Sequence, residues 1–358
     1  MPFARPNIQQ MSGYVPGEQP RGAKVVKLNT NENPYPPSPR AAAAIKAAAG
    51  GPLNRYPDAA ATAFRMAAAD VLTAAGGSPE AQITADWVLC GNGSDDILTI
   101  VTRALAGEGD TVRFATPSYS LYKTLVEIQG ARADVVRYER DWTLGFDFAR
   151  PADGLKLAYL ANPNSPSGTL MAPGEVAAIA DALPCPLLVD EAYVDFADSS
   201  CIDLVRSNER IMVSRSLSKS YALAGLRFGY LVAQPPVIAE LQKVKDSYNC
   251  DALAIAGATA AITDQAWLEE NVRRVRATRG RLADGLRGLG FAVTDSQANF
   301  VWATHPTAPH QPIFEWLKQQ GVLVRYMAYP DWGDGLRVSV GTDAQADAFL
   351  TLLADCLA

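Results

Sequence analysis

The sequence predicts an α/β protein with a large domain built on a mainly parallel central sheet, a smaller α+β domain and an N-terminal arm. Strand and helix signals alternate from about residue 40 to 245, and long helices dominate after about residue 246. The first 40 residues are rich in Pro, Asn and Gln, which is typical of an extended segment. We therefore expect an arm over residues 1–40, a large domain over 41–245 and a small domain over 246–358.

Helical spacing of apolar residues appears first in "RAAAAIKAAA" and "DAAATAFRMAAADVLTAA". Short apolar, β-branched runs follow, and most are separated by segments long enough for a helix: "WVLC", "DTVRFA", "ADVVRY", "LKLAYLA", "PLLVD", "RIMVSR" and "FGYLVA". This alternation favours parallel strands that are covered by helices. After the long helical pattern "DQAWLEENVRRVRATRGRLADGLRGL", three further strand candidates are "NFVWAT", "GVLVRY" and "GLRVSV".

Composition limits the class of function. The chain has 358 residues, 48% of them hydrophobic and 20% charged, with a formal net charge of −6. We expect no nucleic-acid partner because no basic stripe is present. We also expect no membrane anchor, because no apolar run reaches signal-peptide or membrane-spanning length.

Cysteine and histidine usage points to a cytoplasmic protein that binds no metal. The five cysteines include no C-x-x-C pair, so we expect reduced, mostly packed thiols. The two histidines, His305 and His310, have two prolines between them. This spacing predicts no metal site.

Two loop motifs follow strand candidates. The turn "CGNGSDD" at 90–96 precedes a helical pattern, so its N–H groups could hold a phosphate, although a plain structural turn explains it equally well. It lacks the third glycine of a dinucleotide fingerprint, and no G-K-[ST] occurs in the chain. The motif "LANPNSPSGTL" at 160–170 predicts an extended, turn-rich backbone, in which the asparagines could serve only as turn residues.

Asp190 ends the apolar strand candidate in "PLLVDEAYVDFA", where ligands bind in open α/β sheets. A carboxylate buried at that position needs a cationic or hydrogen-bonding partner. Tyr193 follows three residues later and could turn its hydroxyl toward the same ligand. We expect Glu191 and Asp195 to be solvated loop charges.

Lys219 lies in "SRSLSKSYALAGLRFGY", between an apolar strand candidate and a Leu/Ala/Gly run. A partly desolvated lysine can attack a carbonyl and form a Schiff base. Ser216, Ser218 and Arg227 are suitable donors for a dianionic phosphate. Taken alone, Lys219 reads as a surface lysine; together with the phosphate donors and Asp190 it predicts a pyridoxal 5'-phosphate site.

These segments also resemble a known family in order and spacing. The chain is similar to fold-type I, aspartate-aminotransferase-like enzymes, and within them to the histidinol-phosphate aminotransferase family. The similarity covers nearly the whole chain through "GYVPG", "LNTNENPYPPSP", "NRYPD", "GNGSDD", "PSYSLY", "NPNSPSG", "DEAYVDF", "SRSLSKSYALAGLRFGY", "ANFVW", "GVLVR" and "LRVSVGT".

The resemblance implies roles around the cofactor ring. Lys219 would bind the cofactor covalently and then move the proton at the substrate Cα as general base and acid. Asp190 would pair with the ring nitrogen, and Tyr193 would hydrogen-bond the phenolic oxygen. Tyr119 would stack on the ring, although a core aromatic is the simpler interpretation of that residue alone.

The resemblance also implies how the phosphate is held. Its donors would be the side chain of Ser94, the backbone of Gly93 to Asp95, and the side chains of Ser216, Ser218 and Arg227. Tyr56, in "NRYPD", would reach the same phosphate from the other subunit. This implies a homodimer with shared active sites.

For the substrate, the resemblance implies that Arg337 and Arg325 receive its anionic end, and that Tyr14 and Asn33 close over it. One departure concerns the loop that reads N-P-N-N-P-T-G in most relatives. The asparagine before the second proline contacts the phenolic oxygen there, and this chain has Ser165 at that position. We expect Asn164 to replace that contact.

The implied reaction converts histidinol phosphate and 2-oxoglutarate to imidazole-acetol phosphate and glutamate, a step of histidine biosynthesis. An aromatic-amino-acid aminotransferase or a threonine-phosphate decarboxylase on the same scaffold remains an alternative. A non-catalytic regulator is disfavoured because the set formed by Lys219, Asp190 and Arg227 is intact.

Overall fold

The computed structural model describes residues 3–13, 17–19, 25–75 and 82–358. The strands within these ranges are β1 (Val26–Lys27), β2 (Val88–Gly91), β3 (Thr111–Thr116), β4 (Arg132–Arg137), β5 (Leu155–Ala161), β6 (Leu187–Asp190), β7 (Ile211–Ser216), β8 (Gly229–Val232), β9 (Ala292–Val293), β10 (Phe300–Thr304), β11 (Val322–Leu323), β12 (Arg325–Tyr329) and β13 (Gly333–Ser339).

The helices in the same ranges are α1 (Pro6–Gln10), α2 (Pro39–Ala49), α3 (Thr62–Ala75), α4 (Ser94–Leu105), α5 (Leu121–Gln129), α6 (Pro173–Ala182), α7 (Leu204–Ser207), α8 (Pro235–Gln242), α9 (Ala252–Ile262), α10 (Gln265–Gly288), α11 (His310–Gln319) and α12 (Asp343–Leu357). No helix in the described part of the chain is long and apolar enough to cross a membrane.

The central sheet has seven strands in the order β2-β8-β7-β6-β5-β3-β4. Its pairings are parallel except for those of β8, which runs antiparallel to β2 and β7. Strands β5 to β8 are buried almost throughout, because apolar residues of α4, α5 and α8 cover one face and those of α3, α6 and α9 cover the other. The predicted α/β fold with a mainly parallel sheet is confirmed.

A second, antiparallel sheet has the order β12-β13-β10-β9 and packs against α10, α11 and α12. The segment "GVLVRY", predicted as one strand, forms two. Val322–Leu323 pairs in parallel with β1 of the arm, whereas Arg325–Tyr329 pairs with β13. The domain boundaries at 40/41 and 245/246 stay predictions.

The topology brings the candidate motifs to one edge of the central sheet. β5, β6 and β7 are parallel neighbours, so their carboxyl ends meet there. The loop "NPNSPSG" follows β5, Asp190 ends β6, and Lys219 follows β7. Residues at the N-terminus of α4, and residues of β12 and β13 in the antiparallel sheet, face the space at this edge.

Candidate active site

A cavity of about 250 Å³ opens at this edge of the sheet. The predicted site residues that line it are Ser94, Asp95, Tyr119, Asp190, Tyr193, Ser216, Ser218, Lys219, Arg227, Arg325 and Arg337. Residues of the arm, including Asn29, Thr30, Asn31 and Glu32, form part of the wall. The fold therefore unites residues that are far apart in sequence around one space.

Lys219 is held by the arm from two sides. Its Nζ donates a hydrogen bond of 3.3 Å to the Thr30 carbonyl, and it lies 5.9 Å from the centre of the Tyr193 ring. The Asn33 side chain donates to the main-chain carbonyls of Lys219 and Ser220 at 2.9 and 3.1 Å. Asn33 thus fixes the lysine's backbone, and its role in closing over the substrate stays a prediction.

Asp190 is buried at the end of β6, and burial raises the pKa of its carboxyl from 3.8 to about 6. Two hydroxyls oppose this shift by donating to the carboxylate, Tyr122 at 2.8 Å and Ser214 at 3.2 Å. A cationic group that binds beside a desolvated carboxylate stabilises its charged form. A protonated ring nitrogen is such a group.

The N-terminus of α4 and the loop after β7 form a cup for an anion. Gly93, just before α4, has a φ of +85°, and a Cβ there would lie 2.5 Å from Nη2 of Arg227. Glycine therefore permits a close approach that a side chain would block. Arg227 Nη1 donates to Ser218 Oγ at 3.3 Å, and Ser94 and Asp95, the first two residues of α4, line the same cavity. The first N–H groups of a helix have no partner within the helix, so its N-terminus favours an anion.

Tyr119 is oriented by the first turn of α4. Its hydroxyl donates to Asp95 Oδ1 at 2.9 Å, and Arg227 Nη2 lies 3.5 Å from Asp95 Oδ2. The Asp95 carboxylate therefore orients Tyr119 and Arg227 together. An aromatic ring on the cavity wall offers a flat surface on which a ligand ring can stack.

Two arginines of the antiparallel sheet point into the cavity. Arg325 of β12 and Arg337 of β13 are directly opposite each other in the ladder. Arg337 donates from Nη1 to Ser165 Oγ at 3.0 Å and from Nη2 to the Asn29 carbonyl at 3.1 Å. Two guanidinium groups at one rim form a site for an anionic substrate group.

The geometry does not support the prediction for Asn164. Its side chain is buried and accepts a bond of 2.8 Å from Ser118 Oγ, while its Nδ2 donates to the Pro117 carbonyl and to Ser167 Oγ. These bonds hold the loop together. Ser165, and not Asn164, lines the cavity, and its hydroxyl contacts Arg337.

The expectation of solvated loop charges is wrong for Glu191. Its side chain is fully buried and accepts two hydrogen bonds from the guanidinium of Arg215, at 3.1 and 3.0 Å, as well as one from Ser200. Asp195 is half-buried and accepts a bond from Ser220, the neighbour of Lys219. The sequence signal for the ion pair between Glu191 and Arg215 is the charged Arg215 within an apolar strand candidate.

Tyr56, a predicted site residue, does not line the cavity. Tyr56 is 80% exposed and stacks on Tyr248 with ring centres 4.4 Å apart. Tyr14 lies outside the described residues. Their assigned roles stay predictions.

The donor set fits pyridoxal 5'-phosphate. One cavity holds an amine, a desolvated carboxylate suited to a cationic ring nitrogen, and a cup of hydroxyls, N–H groups and a guanidinium suited to a phosphate. Together with the mainly parallel sheet, this set defines a fold-type I enzyme.

The comparisons with known proteins agree with this class. The family model for aminotransferase class I and II matches residues 23–353, and the chain belongs to that family. It is 56% identical to a histidinol-phosphate aminotransferase of Rhodopirellula baltica, over 98% of this chain and 94% of that protein. It is 45% identical to histidinol-phosphate aminotransferase 1 of a Nostoc species, over 99% of this chain and 98% of that protein.

A solved structure also matches the whole fold. The histidinol-phosphate aminotransferase of Sinorhizobium meliloti, in complex with pyridoxal-5'-phosphate, superposes with a TM-score of 0.87 at 25% identity. The match covers 99% of this chain and 97% of that structure.

Proposed function

We propose that the protein is a pyridoxal-phosphate-dependent aminotransferase that acts on histidinol phosphate and 2-oxoglutarate in histidine biosynthesis. The observation that carries this proposal is the position of Lys219 in one cavity with Asp190, the anion cup and the paired arginines. The relatives named histidinol-phosphate aminotransferase span almost the whole chain, which supports the substrate assignment.

When bound, pyridoxal 5'-phosphate supplies an aldehyde that condenses with amines and a ring that accepts the electron pair left at Cα. Lys219 would hold the cofactor through its Nζ amine, and the same amine would take up and return the proton at the substrate Cα. Asp190 would pair with the ring nitrogen and favour its protonated form. The hydroxyl of Tyr193 would donate to the phenolic oxygen of the cofactor, and Tyr119 would stack on its ring.

The cofactor's phosphate and the anionic group of the substrate are bound by two separate groups of donors. Ser94, Ser216, Ser218 and Arg227 bind the cofactor's phosphate, with the N–H groups at the start of α4. Arg325 and Arg337 bind the phosphate of histidinol phosphate in one half-reaction and a carboxylate of glutamate or 2-oxoglutarate in the other. Guanidinium forks suit both anions, so one pair of arginines can serve the two substrates in turn.

We also infer that the protein acts as a homodimer in the cytoplasm. Tyr56 and Tyr248 stack on each other and are exposed, as is Leu53 three residues before Tyr56, and a second copy would cover this apolar surface. In such a dimer Tyr56 reaches the phosphate cup of the partner. The cysteines are free thiols, four of them buried, which suits a reducing compartment.

The test is an assay of purified protein, loaded with cofactor, on a panel of amino donors with 2-oxoglutarate. Glutamate formation from histidinol phosphate, with a much higher kcat/KM than from phenylalanine or tyrosine, is the expected result. Preference for the aromatic amino acids would assign the scaffold to an aromatic aminotransferase. Release of carbon dioxide from threonine phosphate without consumption of 2-oxoglutarate would assign it to a decarboxylase.

A further inference from the structure

Asn31 connects the arm and the antiparallel sheet to a residue of the candidate active site. It is 1% exposed and lines the cavity, and its Nδ2 donates a hydrogen bond of 3.0 Å to the Tyr193 hydroxyl oxygen. On its other side, Ser339 of β13 lies within hydrogen-bonding distance of both its main chain and its side chain. No motif assigned a role to Asn31.

The Ser339 hydroxyl fixes which way the Asn31 amide faces. Ser339 Oγ accepts the main-chain N–H of Asn31 at 2.8 Å, so its single proton is available for another acceptor. That acceptor is Asn31 Oδ1, at 2.9 Å. Because the oxygen faces Ser339, the NH₂ group faces Tyr193.

The Asn31 backbone is held in an uncommon conformation. Its φ is +56°, in the left-handed region that asparagine tolerates better than most residues with a side chain. The Asn299 amide donates to the Asn31 carbonyl at 2.9 Å, so both the main chain and the side chain of Asn31 are restrained. Uncommon backbone conformations that are held in place by surrounding contacts occur most often at functional sites.

We propose that Asn31 is a positioning residue, which occupies the Tyr193 oxygen as an acceptor so that the tyrosine's own proton points to the ligand. A phenol has one proton to donate, and an amide N–H against its oxygen leaves that proton for another partner. Ser339 fixes the orientation of the Asn31 amide, and the amide fixes the orientation of the Tyr193 hydroxyl. Tyr193 then donates its proton to the cofactor's phenolic oxygen. This inference rests on the proposed function, because it takes the role of Tyr193 from it.

The test is a double-mutant cycle between Asn31 and Tyr193. Asn31→Gly keeps the backbone conformation available and removes the amide, and Tyr193→Phe removes the hydroxyl. We expect Asn31→Gly to lower kcat and to weaken cofactor binding, each by about tenfold, since a hydrogen bond to an ionised group is lost or misdirected. In the Tyr193→Phe background, the same change should alter both quantities less than twofold.

A spectroscopic readout separates positioning from general destabilisation. Loss of a donor to an anionic oxygen favours the protonated form, so the pH midpoint of the bound cofactor's visible absorbance change should rise in Asn31→Gly and in Tyr193→Phe. It should rise no further in the double variant. Ser339→Ala should move the midpoint in the same direction by a smaller amount. At pH 8, Asn31→Asp should be at least as impaired as Asn31→Gly, because a carboxylate accepts the tyrosine proton.

Equal tenfold losses from Asn31→Gly with and without the Tyr193 hydroxyl would overturn the proposal, as would an Asn31→Asp variant with full activity. The cofactor dissociation constant and the absorbance midpoint are measured without substrate. If histidinol phosphate proves not to be the substrate, Tyr193-dependent shifts in these two quantities still establish the role of Asn31. If they are unchanged in an enzyme that transaminates histidinol phosphate, only the role of Asn31 is refuted.

Discussion

The Tyr122 hydroxyl donates a hydrogen bond of 2.8 Å to Oδ2 of Asp190 from within the core of the large sheet. The Tyr122 ring stacks on Tyr159, with centres 4.8 Å apart and planes 4° from parallel. Tyr159 directs its own hydroxyl to Thr102. The carboxylate assigned to the cofactor's ring nitrogen is thus held by a rigid aromatic pair that the site motifs did not reveal.

Tyr122→Phe removes one donor to Asp190 and leaves the ring stack in place. We expect the pKa of Asp190 to rise further, so that cofactor affinity and kcat both fall by about tenfold, most strongly at low pH. Tyr159→Phe is the matched control, because it removes a neighbouring buried hydroxyl that bonds Thr102, and it should change both quantities less than twofold. Equal effects of the two variants would show that core packing, and not the bond to Asp190, matters.

Asp190→Asn should stabilise the cofactor-free protein while abolishing turnover. Because burial raises the pKa of Asp190 from 3.8 to about 6, the native state binds more protons than the unfolded state between these values. The stability of the wild type therefore falls as pH rises through this window, whereas asparagine does not titrate. We expect the variant to gain roughly 1–3 kcal/mol on the wild type between pH 4 and pH 8, measured by urea unfolding. A difference that does not depend on pH would contradict the burial argument.

Glu191→Gln should destabilise the fold strongly. The substitution leaves the Arg215 guanidinium buried without its carboxylate, which typically costs about 3–5 kcal/mol. Glu240→Gln is the control, because Glu240 pairs with Lys243 on the surface and both side chains are more than half exposed. We expect that variant to lose less than about 0.5 kcal/mol. Similar small losses in both would contradict the argument that the Glu191 carboxylate is needed to neutralise the buried Arg215.

The shared-site dimer predicts complementation between two inactive variants. Lys219→Ala lacks the amine, and Tyr56→Ala lacks the phosphate contact assigned to the partner subunit. A mixed dimer contains one site with both Lys219 and Tyr56, so mixing the variants under subunit exchange should restore activity. The activity of each variant measured alone is the control. If mixed dimers form and recover nothing beyond the sum of the parents, the two residues act in the same subunit's site.

The fold class could be predicted from local sequence patterns, because most strands of the large sheet are short apolar runs between segments long enough for a helix. The parallel order then placed Asp190 and Lys219 at neighbouring strand ends. The division of "GVLVRY" into two strands was not predictable in this way, because β1 of the arm, nearly 300 residues earlier in the chain, pairs with its first part.

The residues that support the site were the least predictable. Glu191 looks solvated in its own loop and is buried because Arg215 on the next strand neutralises it. Asn31 and Tyr122 act on site residues through contacts between distant segments, at sequence separations of 162 and 68. Pattern reasoning finds the groups that touch a ligand more readily than those that hold these groups in place.

The most direct test of the central assignment is the absorbance spectrum of the purified, cofactor-loaded protein during addition of histidinol phosphate without 2-oxoglutarate. We expect a visible band from the cofactor bound to Lys219, which histidinol phosphate converts to an ultraviolet band in one half-reaction and 2-oxoglutarate restores in the other. Lys219→Ala should show no such cycle. A visible band that phenylalanine converts and histidinol phosphate does not would contradict the substrate assignment. Absence of any band after incubation with pyridoxal 5'-phosphate would contradict the enzyme assignment itself.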